Sequence, residues 1–479
     1  MPVPGKNGDS IIKKQRKEII KMKKFELMPT EENLIESLRK DFLKRNKDLV
    51  RFYELLEAQE EAYSIAIDGR WGSGKTFFVK QSILIINAKN LTSKMEAQKR
   101  KNIMEMLPWM TNLDKMSSNS DVAIYYDAWA NDNDTDPVLS LIYEIMKQLE
   151  ANFSLENNVD VLKIGGSILE LFTGKNINNI IENLKSEDPI MKIREEKDLY
   201  SNIKKFFSEV LVERGNRLVV FIDELDRCKP SYAVQLLERI KHYLCDDRVT
   251  FVFSVNLREL QHTIKNYYGS TFDACRYLDR FFDMRVSLPP ADKTEFYREL
   301  GLESMYGLEQ VARKIIDTYR MEMREAIRFY HQVKTSIYDP THDSNKWQFD
   351  FVDGNTKFFL LIYIIPILEG LKIVDISLYD EFVNGENSKP IMDIYKESDV
   401  GDWMASKLLN DDESYVKIEG KKLVTVEEKL QQVYEAVFVA EYRGELESVV
   451  VGRCEFNKYS KLFLRNAEGV LSKYADYEI

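Results

Sequence analysis

Between residues 30 and 60 apolar side chains recur at helical spacing, at Leu34, Leu38, Phe42 and Leu49, behind the sequence Thr-Glu-Glu-Asn at 30–33. That start supplies an N-cap and an acidic first turn, so the segment predicts helices. At Tyr63 the pattern changes to a short continuous apolar run, 63–68, stopped by Gly69 and followed by further glycines and a helical stretch. Such a run predicts a buried parallel strand that feeds a loop and a helix. Comparable runs occupy 122–126, 218–222, 249–255 and 284–288. Five strands separated by helical segments predict an α/β layer structure built on a parallel sheet.

The gaps between the runs are unequal. About ninety residues separate Tyr126 from Leu218, far more than one crossover helix requires. An insertion is implied at about 137–212, and its content reads as helical: 137–149 is amphipathic, and 198–212 is a second helix with Asp198 as N-cap. The stretch 155–195 between them is mixed and polar, with Gly165, Gly166 and Gly174. Beyond Pro289 and Pro290 no strand cluster of comparable strength follows, and the chain reads mainly as helix. The expected organisation is a basic arm and helix over 1–45, a sheet core over 46–290, and a helical lid and accessory region over 291–479. The longest apolar run, 358–368, is about half of the roughly 20 residues that span a bilayer and contains Pro366, so no transmembrane segment is expected.

Composition narrows the functional classes. At 479 residues the chain exceeds the roughly 250 to 300 that one core holds, and with 44% hydrophobic residues it can bury several. Cys228, Cys245, Cys275 and Cys454 form no CxxC pair, which excludes a disulfide framework and a cysteine-built zinc site and fits a cytoplasmic location. The net charge is −11, but the first 24 residues carry Lys6, Lys13, Lys14, Arg16, Lys17, Lys21, Lys23 and Lys24 against Asp9 and Glu18. No apolar core follows this arm, so it is not a secretory signal. It is either a basic contact for nucleic acid, anionic lipid or an acidic partner, or a terminal helix packed through Ile11, Ile12, Ile19, Ile20 and Met22. The acidic body disfavours broad duplex binding, so charge does not indicate a nucleic-acid partner.

Residues 69–76 read Gly-Arg-Trp-Gly-Ser-Gly-Lys-Thr, which satisfies GxxxxGK[ST] behind a predicted strand and ahead of a helix. Glycines let backbone N–H groups wrap a phosphate closely. The candidate nucleotide-binding residues are therefore Gly69, Arg70, Trp71, Gly72, Ser73, Gly74, Lys75, Thr76 and Phe77, with Lys75 bridging the terminal phosphates and Thr76 ligating Mg2+. Residues 218–227, Leu-Val-Val-Phe-Ile-Asp-Glu-Leu-Asp-Arg, describe a buried strand that delivers carboxylates to a sheet edge. Asp223 suits the metal and Glu224 the activation of a water, with Asp226 as the alternative because side chains alternate along a strand. The run 249–255 leads to Asn256; if this strand lies between the loop strand and the acidic strand, Asn256, or else Ser254, orients the water, an ordinary strand-end turn being the other reading. Arg280, among Arg276, Arg280 and Arg285, is the candidate for a finger donated to a neighbouring subunit, against a helix-end salt bridge. Arg324, one turn from Arg328, is the candidate to reach the phosphates from a lid.

Taken in order, GRWGSGKT, YYDAWAND at 125–132, FIDELDRC at 221–228 and YLDRFFDMRVSLP at 277–289 resemble the KAP family of P-loop NTPases, over roughly residues 40–335. The resemblance implies an additional-strand, AAA+-related core with strand order 5-1-4-3-2, ATP as the nucleotide, and an ATP-driven switch in homo-oligomer assembly or in contact with an effector protein. For bacterial members it implies antiphage defence. Many members carry membrane-spanning helices within the NTPase domain; here 161–171 is too short and is interrupted by Lys163 and Glu170, so that role is not carried over. Trp129, whose segment packs near the nucleotide domain in the family, reads by itself as a buried aromatic. The functions to be separated are an ATPase, a nucleotide-gated scaffold with negligible turnover, and a nucleic-acid motor. Glu224 favours the first, and the chain has no zinc knuckle or aromatic-basic ladder for the last.

Overall fold

The computed structural model describes residues 28–41, 43–59, 63–107, 121–152, 215–243, 248–289, 292–303, 307–342, 352–395, 404, 406–444 and 447–468. The basic arm, Phe42, the stretch 155–195 and the expected helix at 198–212 lie outside them. Two compact units result, one within Leu27–Asp292 and the other within Lys293–Ile479.

The first unit is built on strands β1 (Ser64–Asp68), β2 (Val122–Asp127), β3 (Leu218–Asp223), β4 (Val249–Val255) and β5 (Met284–Ser287). They form one sheet in the order β2-β3-β4-β1-β5, every neighbouring pair parallel. This is the 5-1-4-3-2 order, and it places β4 between the loop strand and the acidic strand. Each strand falls within a residue of its apolar run because a strand covered on both faces needs apolar side chains in both directions. Accordingly every residue of β3 and β4 is buried. Alternation sorts them: Val220 and Ile222 enter one core and Val219 and Phe221 the other.

Helices α1 (Glu31–Lys40), α2 (Asn46–Glu57), α3 (Lys75–Lys89) and α4 (Ala97–Glu105) supply the core on one face of the sheet. Helices α5 (Pro137–Asn152), α6 (Pro230–Tyr243), α7 (Leu257–Tyr268) and α8 (Ala274–Leu278) supply the other. Thr30 caps α1 as the sequence predicts, its Oγ1 accepting from Asn33 N–H at 3.4 Å.

The second unit is mainly helical. It contains α9 (Thr294–Glu299), α10 (Leu308–Thr318), α11 (Met323–His342), α12 (Gly354–Phe359) and α13 (Ile365–Val374). The longest apolar run joins α12 to α13 through a π turn at Leu360–Ile364, in which Ile365 N–H reaches back to Leu360 O. Pro366 follows at once, and a widened turn relieves the clash its ring makes with the preceding turn. Among the described residues no helix is long and apolar enough to cross a membrane. Two strand pairings depart from the helical expectation: a two-residue parallel pairing of Glu413–Ser414 with Lys422–Leu423, and the antiparallel hairpin of β6 (Ser448–Val451) and β7 (Cys454–Asn457). Three consecutive valines ahead of Gly452 are the hairpin's local signal.

Candidate functional site

Parallel strands deliver their C-terminal ends to one edge of the sheet, and the candidate residues collect there. In register, Ile67 lies beside Ser254, Ser254 beside Asp223, and Asp223 beside Asp127. The chain leaves β1 at Asp68, turns, and starts α3 at Lys75. Gly69 N–H donates to Val255 O at 3.2 Å, which roots the loop on β4. Gly74 has φ 89°, a conformation only glycine adopts freely. A Cβ on Gly69 would stand 2.9 Å from Ser73 Oγ and 3.3 Å from Lys75 Cγ, so any larger residue there would have to displace those two side chains.

Lys75 is only 8% exposed. Its Nζ donates to Gly69 O at 2.6 Å and Arg70 O at 3.1 Å. Burial draws its pKa down, and the carboxylates of Asp226, Asp223, Glu224 and Asp68 oppose that shift. The hydroxyls of Ser73 and Ser254 are buried with no hydrogen-bond partner among the described residues. Thr76 and Phe77 are half-buried in the first turn of α3, Gly72 is half-buried, and Arg70 and Trp71 are exposed. A glycine-only turn, a helix N-terminus, a buried ammonium and an unpartnered hydroxyl fit the phosphates of a nucleotide.

The acidic strand ends as a set of oriented oxygens. Asp223 is 1% exposed. It accepts from the Tyr125 hydroxyl and from Glu224 N–H, each at 3.1 Å. Asp223 and Thr76 are the residues that would hold Mg2+, with phosphates and waters filling its remaining positions. Among the described residues no three His, Cys, Asp or Glu side chains form a metal cluster.

Glu224 has φ 61°, a left-handed backbone that costs a non-glycine residue energy and turns its side chain away from the strand direction. Its Oε2 pairs with Arg227 Nε at 2.6 Å. Burial, then the charge of Asp223, pushes the Glu224 carboxyl up to about 7, against the pull of Arg227 and Lys75. Asp226 is more committed: its Oδ2 accepts from Trp71 Nε1 at 2.5 Å. Burial raises its pKa, while the Trp71 bond and Lys75 lower it.

The remaining candidates separate. Asn256 realises the strand-end turn, its Oδ1 accepting from Glu259 N–H at 3.4 Å as N-cap of α7, so any hold on a water falls to its Nδ2. Arg280 is exposed just beyond α8, and its guanidinium makes no ion pair among the described residues. The salt bridge at that position forms between Arg285 and Asp279 instead. Arg324 is exposed in the first turn of α11, in the second unit. Trp129 corrects the reading as a buried aromatic: it is 52% exposed, in the turn after β2, with the Arg227 guanidinium 5.5 Å from its ring centre.

Sequence reasoning missed three residues. Tyr125 and Arg227 stand inside quoted motifs, but nothing local marks what they touch. Arg45 had no signal at all: buried, it donates to Ser73 O at 2.8 Å and to Pro289 O at 2.7 Å, partners 28 and 244 positions away.

Comparison with known proteins agrees with this geometry. A family model described as the KAP family P-loop domain matches residues 45–359. The chain is also similar to the uncharacterized protein MJ0182 of Methanocaldococcus jannaschii, 24% identical over 173 residues, with 27% of this chain and 87% of that protein covered.

Proposed function

The chain belongs to the KAP family of P-loop NTPases, whose domain suggests nucleotide binding and hydrolysis, and on that premise we propose that this protein is an ATPase. In this reading turnover switches homo-oligomer assembly or contact with an effector protein, within the bacterial cytoplasm and in antiphage defence. Residues 46–290 act as the NTPase core and 291–479 as a lid and accessory region.

The loop amides and Lys75 would grip the terminal phosphates, displacing the Nζ bonds to the Gly69 and Arg70 carbonyls. Mg2+, held by Thr76 and Asp223, would neutralise charge on the phosphate oxygens. Glu224 would take the proton of the attacking water. Asn256 Nδ2 and the Ser254 hydroxyl would orient that water, and Arg280 of a neighbouring subunit, or Arg324, would stabilise charge on the transferring group.

The observation that carries hydrolysis over mere binding is the state of the two acids. Each acid has one oxygen engaged, Asp226 by Trp71 and Glu224 by Arg227, but Asp226 is buried whereas Glu224 is half-buried and so open to a water. A carboxylate held off the metal ligand and partly desolvated is suited to a general base.

The test is Glu224→Gln. ATP should bind and persist while steady-state turnover falls by about 10² or more, the range expected for a positioned base. Normal turnover in this variant would transfer the role to Asp226. Tight ATP binding with no turnover in the unmodified protein would favour the nucleotide-gated scaffold, and stimulation by DNA or RNA in the same assay would favour the motor.

A further inference from the structure

We propose that Arg227 is the positioning residue for Glu224, and that the indole faces of Trp71 and Trp129 hold its guanidinium in place. The inference rests on the reading of Glu224 as the base.

Glu224 occupies a left-handed backbone position, and the 3-10 turn Leu225–Arg227 that follows brings Arg227 back beside it. Arg227 Nε meets Glu224 Oε2 at 2.6 Å. One carboxylate oxygen is thereby occupied, which leaves Oε1 as the atom free to accept a proton. A base whose second atom is tied to a third group is held in a single orientation, the same logic by which an orienting group serves any base–nucleophile pair.

The guanidinium is in turn confined. Its carbon lies 5.7 Å from the Trp71 ring centre and 5.5 Å from that of Trp129, within the roughly 6 Å over which a cation is attracted to an aromatic face. These two walls come from opposite sides of β3. Trp71 belongs to the phosphate loop and is pinned by its Nε1 bond to Asp226. Trp129 belongs to the turn after β2, which is fastened to the same strand end by Ala128 N–H donating to Asp223 O at 3.0 Å. Both rings are large and about half exposed, at 45% and 52%. They contribute little to the core where they stand, and the guanidinium between them is the contact they share.

A partly exposed ion pair three residues apart adds little to stability. Its consequence is geometric: the phosphate loop, through Trp71, and the carboxylate share one guanidinium, so the position of the loop and the placement of the base are linked.

The experiment compares steady-state turnover and ATP affinity in Arg227→Gln, Glu224→Gln, their double variant, Arg227→Lys and Trp129→Leu. Arg227→Gln should lower kcat about 10- to 100-fold, the usual cost of removing a group that orients a reactive one, with ATP affinity within about twofold. Arg227→Lys should recover little, because an ammonium lacks the planar face that two rings can hold. Trp129→Leu, which leaves no buried charge unpaired, should lower kcat about 2- to 5-fold, the worth of one cation–aromatic contact at a wet site.

The decisive result is the double variant. Adding Arg227→Gln to Glu224→Gln should cause no further loss, since both changes act through one carboxylate. Multiplying losses, or a weakened ATP affinity that accounts for the whole effect of Arg227→Gln, would overturn the inference and make Arg227 a phosphate ligand or a support of the fold. If Glu224→Gln is slow but Arg227→Gln is normal, only the positioning role fails. If Glu224→Gln is normal, the base assignment fails and the positioning role with it.

Discussion

At the scale of single residues, Lys75 shows how a ligand-binding group is held ready. A buried ammonium is costly unless something satisfies it, and here two loop carbonyls and four nearby carboxylates do so. A triphosphate would take over those bonds and bring compensating charge. Lys75→Ala should therefore abolish measurable ATP affinity while far-UV circular dichroism stays unchanged. The readout is thermal: at ATP one hundred times its Kd the unmodified protein should gain about 2.7 kcal/mol, and the variant nothing. A persisting ATP shift in the variant would remove the phosphate-loop assignment. In the proposed reading Tyr125 would support the Mg2+ side in the same indirect way, its hydroxyl fixing one oxygen of Asp223. Tyr125→Phe should raise the Mg2+ concentration for half-maximal turnover roughly tenfold. An unchanged Mg2+ titration would mean that Glu224 N–H alone orients Asp223.

Elements differ in how much of their reason is local. The loop and α3 follow from eight consecutive residues, because a strand, a glycine turn and a helix N-terminus carry their instructions within a dozen positions. The β6–β7 hairpin is local as well, marked by three valines inside an otherwise helical region. Its turn also needs something outside itself: Gly452 has φ 58°, and a Cβ there would stand 2.4 Å from the carbonyl carbon of Leu408. The obstacle is backbone, which cannot step aside. Gly452→Ala should cost about 2 to 4 kcal/mol, combining left-handed strain with overpacking. The denaturant midpoint would read this, and a loss under about 0.5 kcal/mol, the usual surface effect, would mean that the hairpin is free to re-form elsewhere.

For the whole molecule the open matter is whether the site is complete in one chain. Arg280 is exposed and unpaired among the described residues, on the same unit as the phosphate loop. Arg280→Ala should leave ATP affinity nearly unchanged and lower turnover strongly, because a guanidinium finger acts on charge that exists mainly in the transition state. Mixing Arg280→Ala with Glu224→Gln chains should restore part of the activity if the finger acts across an interface, since some interfaces would then join an intact Glu224 to an intact Arg280. A dead mixture of chains that demonstrably co-assemble, or an active monomer, would turn attention to Arg324.

Within that molecule, sequence alone determined whatever depends on neighbours along the chain. The five strands, the phosphate loop, the acidic end of β3 and the Thr30 cap are such features, each encoded by periodicity or by a few residues whose backbone preferences agree. Strand order was available through family resemblance, since periodicity carries no information about which strands become neighbours. Only the folded structure decided the partners. Trp129 proved half exposed with a cation from another segment against its face, Asp226 proved committed to Trp71, and Arg45 reached both Ser73 and Pro289. Contacts of this kind join residues far apart in sequence, and packing selects them after the local elements have formed.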